Sequence, residues 1–261
     1  MKTLPMSIKI AQLADIQVRY GKRHDEFETV FKRTCEDLAT QSPTRIVVAG
    51  DIFHDKVKLS PLSIELVSQF MFDISDIAPT DVILGNHDLN LRQMEQGDAL
   101  SPIFRIAKRL GKEDKAMIVT DDNKEEVDFS KKAIYYYPNS GLFNISKDLV
   151  YGVFSCRDNK MVRIGEKDPN KTYVALWHGT LYGSKLDNGY DAMGEELAKL
   201  SMFEGFDAVL MGDIHEYQTF DREHFIEVEE SKVKSYIQNG WQNADSSLAH
   251  MEENEETHEF E

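Results

Sequence analysis

The sequence has little cysteine and no long apolar run, and both absences limit the kind of protein it encodes. Only two cysteines, Cys35 and Cys156, occur in 261 residues, so neither a disulfide framework nor a Cys-x-x-Cys metal site is expected. No stretch approaches the roughly 20 apolar residues of a membrane-spanning helix. The opening residues, MKTLPMSIKI, contain no apolar run of signal-peptide length. These features predict a cytoplasmic protein with no membrane association and no secretion.

Positive charge is also scarce. The formal net charge is −16, and residues 221–261 hold 12 acidic and 3 basic residues. Such a field repels nucleic acid, so a polyanionic substrate would need bound cations and a local basic rim. The loops after the first three apolar runs offer candidates for that rim, which could equally be ordinary solvated charges. They are Arg19, Lys22, Arg23, Lys56, Lys58 and Arg92.

The informative feature is a set of five short apolar runs, each of which stops at Asp, Asn or His. They are IKIAQLAD ending at Asp15, RIVVAGD at Asp51, DVILGNHD at Asn86 to Asp88, YVALWH at His178, and AVLMGDIH at Asp213 to His215. Each run is typical of a buried strand. Because an open α/β sheet binds its ligand at the carboxyl ends of its strands, the five endings predict one shared site.

Strands and helices alternate in the first half, which predicts parallel crossovers. A helix is expected near Asp25–Ala39, and Ser–Pro pairs at Ser60 and Ser101 are typical helix starts. The helix after Ser60 is expected to bury Ile64. The second half has shorter strands and one expected helix near Tyr190–Leu200. We therefore expect an α/β fold in which a second sheet packs against the first, with helices outside.

Each ending has a purely structural alternative when it is taken alone. Asp51 could cap a helix, His178 could be a core histidine, and Asn86 and Asp88 could form turns. All five endings in order favour a site for two divalent cations bridged by Asp51. Mixed oxygen and imidazole ligands suit Mn, Fe or Zn better than Mg or Ca.

A glycine directly precedes three of these motifs, in GDIFH, GNHD and GDIH. We expect Gly50, Gly85 and Gly212 to let the backbone turn sharply out of each strand.

In this order the motifs resemble those of the calcineurin-like metallophosphoesterases. Within that family, ADIQVRYGKRH, GDIFH and GDIHEYQ are most similar to the SbcD-type DNA repair nucleases and their archaeal, eukaryotic and viral counterparts. The resemblance implies a four-layer αββα sandwich of two mixed sheets.

The resemblance also implies metal ligands, position by position. Asp15 and His215 would hold one metal ion, and Asn86 and His178 would hold the second. Asp51 would bridge both ions.

Three further residues would act on the substrate. His87 would lie beside the scissile phosphate and assist the leaving oxygen, with Asp88 orienting its ring. His54 would contact the phosphate or its neighbour in the substrate strand. Gln17 and Asp213 stand where the family has histidine, and both could still offer metal ligands. Because these are oxygen ligands, we expect two divalent ions, with Mn²⁺ preferred over Zn²⁺.

The implied activity is a DNA exonuclease or endonuclease in repair or recombination, working with an SMC-like ATPase of the SbcC type. A homodimer is left open. We expect a nuclease domain over residues 1–250, then an acidic tail or truncated final strand over 251–261, without the family's DNA-capping and ATPase-binding segments. Two alternatives stay open. One is a phosphodiesterase or phosphatase for small substrates, and the other is a non-catalytic scaffold with a degenerate site that binds DNA ends or the ATPase.

Overall fold

Two β-sheets packed face to face form the centre of the protein. The structure is a computed structural model that describes residues 8–21, 23–55, 58–89, 97–112, 114–185, 190–194 and 197–214. The strands of the first sheet, in chain order, are β1 (Ile10–Leu13), β2 (Arg45–Ala49), β3 (Thr80–Ile83), β4 (Ala116–Ile118) and β5 (Ile134–Tyr137). Those of the second are β6 (Gly141–Asn144), β7 (Leu149–Phe154), β8 (Thr172–His178) and β9 (Ala208–Gly212).

Strand order and direction place the carboxyl ends of several strands at one edge. The first sheet has the order β1-β2-β3-β5-β4, and all its described pairs are parallel. The second has the order β6-β7-β8-β9, in which β6 is antiparallel to β7 and the other pairs are parallel. Within the described strands, therefore, only the second of the two sheets is mixed.

Three helices provide the predicted crossovers and cover the outer face of the first sheet. They are α1 (His24–Gln41), α2 (Pro61–Ile77) and α3 (Ser101–Arg109). The Ser–Pro start of α2 is confirmed, because Ser60 Oγ accepts a hydrogen bond from the Ser63 N–H at 3.0 Å. Ile64 was predicted to be buried in α2 and is instead 38% exposed.

Alternating side chains along each strand divide the interior into layers. In β2, Ile46 and Val48 pack under the helices, whereas Val47 and Ala49 pack against the second sheet. The same alternation occurs in β8, where Val174 faces the first sheet. Burial on both faces explains why these strands appear in the sequence as continuous apolar runs.

The outer face of the second sheet differs from the prediction in the part of the chain that is described. Residues 190–194 and 197–199 are not helical, and a short 3₁₀ helix follows at Leu200–Phe203. The expected helix near Tyr190–Leu200 is therefore wrong. The chain instead folds back on itself: Gly183 N–H donates to Ala192 O, and Ala192 N–H donates to Ser184 O. The two-sheet α/β fold class is confirmed.

One ion pair is buried between the sheets, away from the strand ends that carry the motifs. Arg45 donates to both carboxylate oxygens of Asp81, at 2.7 and 2.8 Å, and also to Phe129 O. Tyr137 OH donates to the same carboxylate at 2.8 Å. Because its polar groups are paired, this network can lie in the apolar interior.

No helix in the described ranges combines the length and the apolar character needed to cross a membrane.

Candidate metal centre

Four of the predicted ligands meet where the two sheets bring their strand ends together. Asp15 follows β1, Asp51 follows β2, His178 ends β8 and Asp213 follows β9. One ligand atom from each residue lies within 4.8 Å of those of the other three. The shared site that was predicted from five separate endings is thus present for these four residues.

The three carboxylates are carried on backbone of unusual conformation. Asp15, Asp51 and Asp213 have φ angles of 54°, 53° and 66°, and Gln17 has 51°. Non-glycine residues seldom adopt this left-handed region, which costs of order 1–3 kcal/mol per residue. Backbone strain is therefore concentrated at the ends of the strands, where it turns the side chains into one cluster.

Backbone and side-chain donors fix two of the carboxylates. Asp213 N–H lies 3.2 and 3.0 Å from the two carboxylate oxygens of Asp15. Thr180 Oγ1 donates to Asp213 Oδ2 at 2.5 Å. Burial raises the pKa of Asp15, although the nearby His178 opposes that shift. Thr180 was not predicted from the sequence, and its position two residues after His178 was the available signal.

His178 and Asp51 form the buried centre of the cluster. His178 Nε2 lies 3.2 Å from Asp51 Oδ1, and His178 Nδ1 lies 2.7 Å from Ala49 O. Burial disfavours the charged form of the His178 ring. The contact with Asp51 and the negative charge of the Asp51 carboxylate nevertheless raise the pKa of His178 to about 9. Burial also disfavours the charged Asp51, yet His178 lowers the pKa of this carboxyl overall.

Two buried atoms of this pair fit a metal ion. Among the described residues, Asp51 Oδ2 has no hydrogen-bond partner, and His178 Nε2 has only the 3.2 Å charge contact with Asp51 Oδ1. Buried polar atoms are rarely left without a partner, and carboxylate oxygen and imidazole nitrogen are both good ligands for divalent metals. Because Ala49 O accepts from Nδ1, the ring is oriented with Nε2 towards the cluster.

The three glycines before the motifs serve two different purposes. Gly50 has a φ of 86°, which confirms the expected turn. Gly85 and Gly212 are not in the left-handed region, so the prediction that they allow a sharp turn was wrong. A Cβ on Gly85 would overlap Asp51 Oδ1, and one on Gly212 would overlap Ala49 O. These two glycines allow neighbouring strand ends to approach closely.

A chain of contacts leads from Asp51 to the predicted substrate residues. His87 N–H donates to Asp51 Oδ1 at 2.8 Å. His87 Nδ1 lies 2.5 Å from His54 O, and His54 Nδ1 lies 3.1 Å from Gln17 Oε1. The His54 and His87 rings stack with centroids 5.5 Å apart. Both histidines therefore lie beside the cluster.

Asp88 has a different task from the one predicted. Its Oδ1 accepts the backbone N–H groups of Ile52 and Phe53 at 3.0 and 3.1 Å, and its Oδ2 accepts Gly85 N–H at 3.0 Å. Complete burial raises the pKa of Asp88 to about 7, although these backbone bonds oppose the shift. Asp88 ties together the loops after β2 and β3. The oxygen that contacts the His87 ring belongs to His54, so the prediction that Asp88 orients this ring was wrong.

The other predicted residues are only partly described. Asn86 lies in the turn directly before His87 and is half-buried. In the basic rim, Arg19 and Lys58 are exposed, whereas Arg23 pairs with Glu26 at 2.6 Å. His215, the segment 251–261 and three of the rim residues lie outside the described residues. Those three are Lys22, Lys56 and Arg92.

Comparisons with known proteins bear on the whole of this site. A family model described as calcineurin-like phosphoesterase matches residues 8–217. An uncharacterized protein, R555, of Acanthamoeba polyphaga mimivirus is 34% identical over 221 residues. That match covers 80% of this chain but 15% of the relative, so this chain spans a small part of that protein's length.

A solved structure, that of Pseudomonas putida nuclease MPE, aligns with 70% of this chain and 67% of its own chain. Its TM-score is 0.33 and its identity 12%, which is too weak a likeness to indicate function. The family match is different in kind, because it extends over most of the sequence and takes in all four clustered ligands. The chain belongs to the calcineurin-like phosphoesterases.

Proposed function

We propose that this protein is a metal-dependent nuclease that hydrolyses phosphodiester bonds in DNA. The observation that carries the proposal is the cluster of Asp15, Asp51, His178 and Asp213. A hydrogen bond from the His87 backbone N–H to Asp51 Oδ1 holds His87 beside this cluster. A family member with such a cluster has the parts that phosphoester hydrolysis requires.

The cluster offers ligands for two divalent ions. Asp51 contacts His178 through Oδ1, and its Oδ2 has no hydrogen-bond partner among the described residues, so this carboxylate would hold both ions. In our assignment Asp15 would bind one ion and His178 the other, with Asp213, Asn86 and His215 as the remaining ligands. When bound, the two ions supply the positive charge that polarises the phosphate and activates the attacking water.

His87 is placed to assist the leaving oxygen. Its Nδ1 faces the carbonyl of His54 at 2.5 Å, and a carbonyl oxygen can only accept. Nδ1 therefore carries the hydrogen, and Nε2 is the nitrogen left to meet the substrate. A protonated Nε2 donates to the oxygen that departs from phosphorus, which is general acid catalysis.

His54 supports a strand of nucleic acid as the substrate. Its ring stacks on that of His87 with centroids 5.5 Å apart, so the two rings offer one polar surface beside the cluster. The motif GDIFH that contains it resembles the SbcD-type nucleases. On the same resemblance we propose a role in DNA repair or recombination, together with an SMC-like ATPase of the SbcC type. The donor set of three carboxylates and one imidazole supports Mn²⁺ as the working ion.

Hydrolysis assays with a matched pair of histidine variants test this proposal. The substrates are end-labelled duplex and single-stranded DNA and bis-p-nitrophenyl phosphate, each with Mn²⁺. We expect His87→Ala to lower turnover by roughly 10²- to 10⁴-fold while bound metal is unchanged. His24→Ala is the control, because His24 contacts Arg19 O and Ser63 Oγ and not the cluster.

Three results would contradict the proposal in different ways. Full activity in His87→Ala would exclude its role as general acid. Turnover of bis-p-nitrophenyl phosphate without cleavage of DNA would identify an enzyme for small substrates. Stoichiometric metal without turnover of either substrate would identify a scaffold.

A further inference from the structure

We propose that Gln17 positions His54 and is not a metal ligand. In this assignment, Gln17 determines which ring nitrogen His54 presents to the substrate. The consequence for turnover rests on the proposed function, whereas the hydrogen bond itself does not.

The direct observation is the contact between the two side chains. Gln17 Oε1 lies 3.1 Å from His54 Nδ1, and both groups are partly buried. An amide oxygen accepts hydrogen bonds and cannot donate them, so the hydrogen of this bond belongs to Nδ1. In the neutral form of the ring, the lone pair is then on Nε2, the other ring nitrogen.

The backbone holds both ends of this contact in place. Gln17 N–H donates to Asp51 O at 2.9 Å, and His54 N–H donates to Val18 O at 3.1 Å. Between them, Val18 and Phe53 form a parallel β-bridge. These backbone contacts fix the two loops relative to each other. They therefore also fix the positions from which the Gln17 and His54 side chains make contact.

Gln17 completes a pattern that the three described site histidines share. His178 Nδ1 lies 2.7 Å from Ala49 O, and His87 Nδ1 lies 2.5 Å from His54 O. Each ring therefore engages an oxygen acceptor through Nδ1 and presents Nε2. For His54 alone among the three, that acceptor is a side chain. A single substitution can therefore remove it without altering the backbone.

The position of His54 also affects His87. The His54 carbonyl faces His87 Nδ1, and the two rings stack with centroids 5.5 Å apart. A His54 ring that is free to turn would loosen the stack against His87, whereas the backbone carbonyl would stay in place. We therefore expect loss of the Gln17 acceptor to affect turnover more than it affects metal binding.

The experiment measures metal binding, the His54 tautomer and turnover in the same variants. Gln17→Met removes the acceptor at similar length, and Gln17→Glu retains it. Gln12→Met is the matched control, because Gln12 Nε2 donates to Met211 O at 2.6 Å and does not contact His54. The tautomer is read from two-bond ¹H–¹⁵N NMR spectra of metal-free protein, with His54→Asn used for assignment.

We expect Gln17→Met to keep wild-type metal stoichiometry and an Mn²⁺ affinity within about twofold. Its His54 signal should lose the Nδ1–H pattern, and kcat should fall about fivefold to tenfold, the effect of one ordinary hydrogen bond. Gln17→Glu should retain the Nδ1–H pattern, and Gln12→Met should not change it.

Loss of one metal ion per chain in Gln17→Met, with an unchanged His54 tautomer, would overturn the proposal and make Gln17 a ligand. A wild-type His54 that carries its hydrogen on Nε2 would also overturn it. If the wild type hydrolyses no phosphodiester, the proposed function fails, but the tautomer and the metal titration still decide the role of Gln17.

Discussion

His178 Nε2 and Asp51 Oδ1 lie 3.2 Å apart in the buried centre of the site, although they come from different sheets. In the metal-free protein this is a contact between an imidazolium and a carboxylate, because Asp51 raises the pKa of His178 to about 9. A metal ion needs the Nε2 lone pair, so it must displace the proton that this contact retains.

Metal binding should therefore release a proton from His178 at neutral pH. Because the raised pKa keeps the ring protonated below about pH 9, metal affinity should rise with pH up to that value and then level off. Calorimetric titration with Mn²⁺ in two buffers of different ionisation enthalpy counts the protons. We expect about one per chain at pH 7 from this group, and a titration without proton release would contradict the ion pair.

The close approach at Gly85 gives a second prediction. In Gly85→Ala the new methyl group would overlap Asp51 Oδ1 and its backbone nitrogen. We expect a loss of roughly 1–3 kcal/mol in the free energy of unfolding and weaker Mn²⁺ binding. Gly165→Ala is the control, since no heavy atom lies within 4 Å of its added Cβ. Thermal denaturation and metal titration of both variants test this, and equal behaviour would refute the steric role.

The buried Arg45–Asp81 pair makes a third prediction, which concerns stability alone. Arg45→Met leaves the Asp81 carboxylate buried without its cation and should cost about 3–5 kcal/mol. Lys115→Met removes an exposed partner of Asp76, 3.2 Å away, and should cost no more than about 1 kcal/mol. Urea denaturation gives both values. A similar small cost for the two variants would show that the buried pair adds little.

The strand ends could be predicted because a strand that is buried on both faces appears in the sequence as a short apolar run. Both faces of β2 are buried, so RIVVA is continuously apolar, and the polar residues that follow it belong to the site. The helix starts near Ser60 and Ser101 could also be predicted from neighbouring residues, because proline is favoured in the first turn of a helix. Four of the predicted ligands could therefore be placed together from the sequence alone.

What could not be predicted depends on distant parts of the chain. The segment after His178 folds back through Lys185 and Asp191 instead of forming a helix, a pairing with no local signal. Asp88 lies in a loop-forming motif, but its three backbone donors come from two separate loops. The short strand β6, Gly141–Asn144, is only partly buried and lacks a clear alternation.

The carboxylate-rich donor set gives a prediction about metal preference. As metal ligands, Asp15, Asp51 and Asp213 would offer hard oxygen atoms, which favour Mn²⁺ over Zn²⁺. We expect higher turnover with Mn²⁺ than with Zn²⁺, and Asp213→His should shift the preference towards Zn²⁺. Parallel assays with metal content measured for each sample test this. Equal or better turnover with Zn²⁺ in the wild type would contradict it.

Anomalous diffraction from crystals soaked in Mn²⁺ tests the metal centre itself. We expect two peaks on either side of Asp51, about 3.5–4 Å apart, with His178 Nε2 directed at one of them. A diffraction map without a peak within ligand distance of Asp51 or His178 would contradict the metal centre and the function built on it.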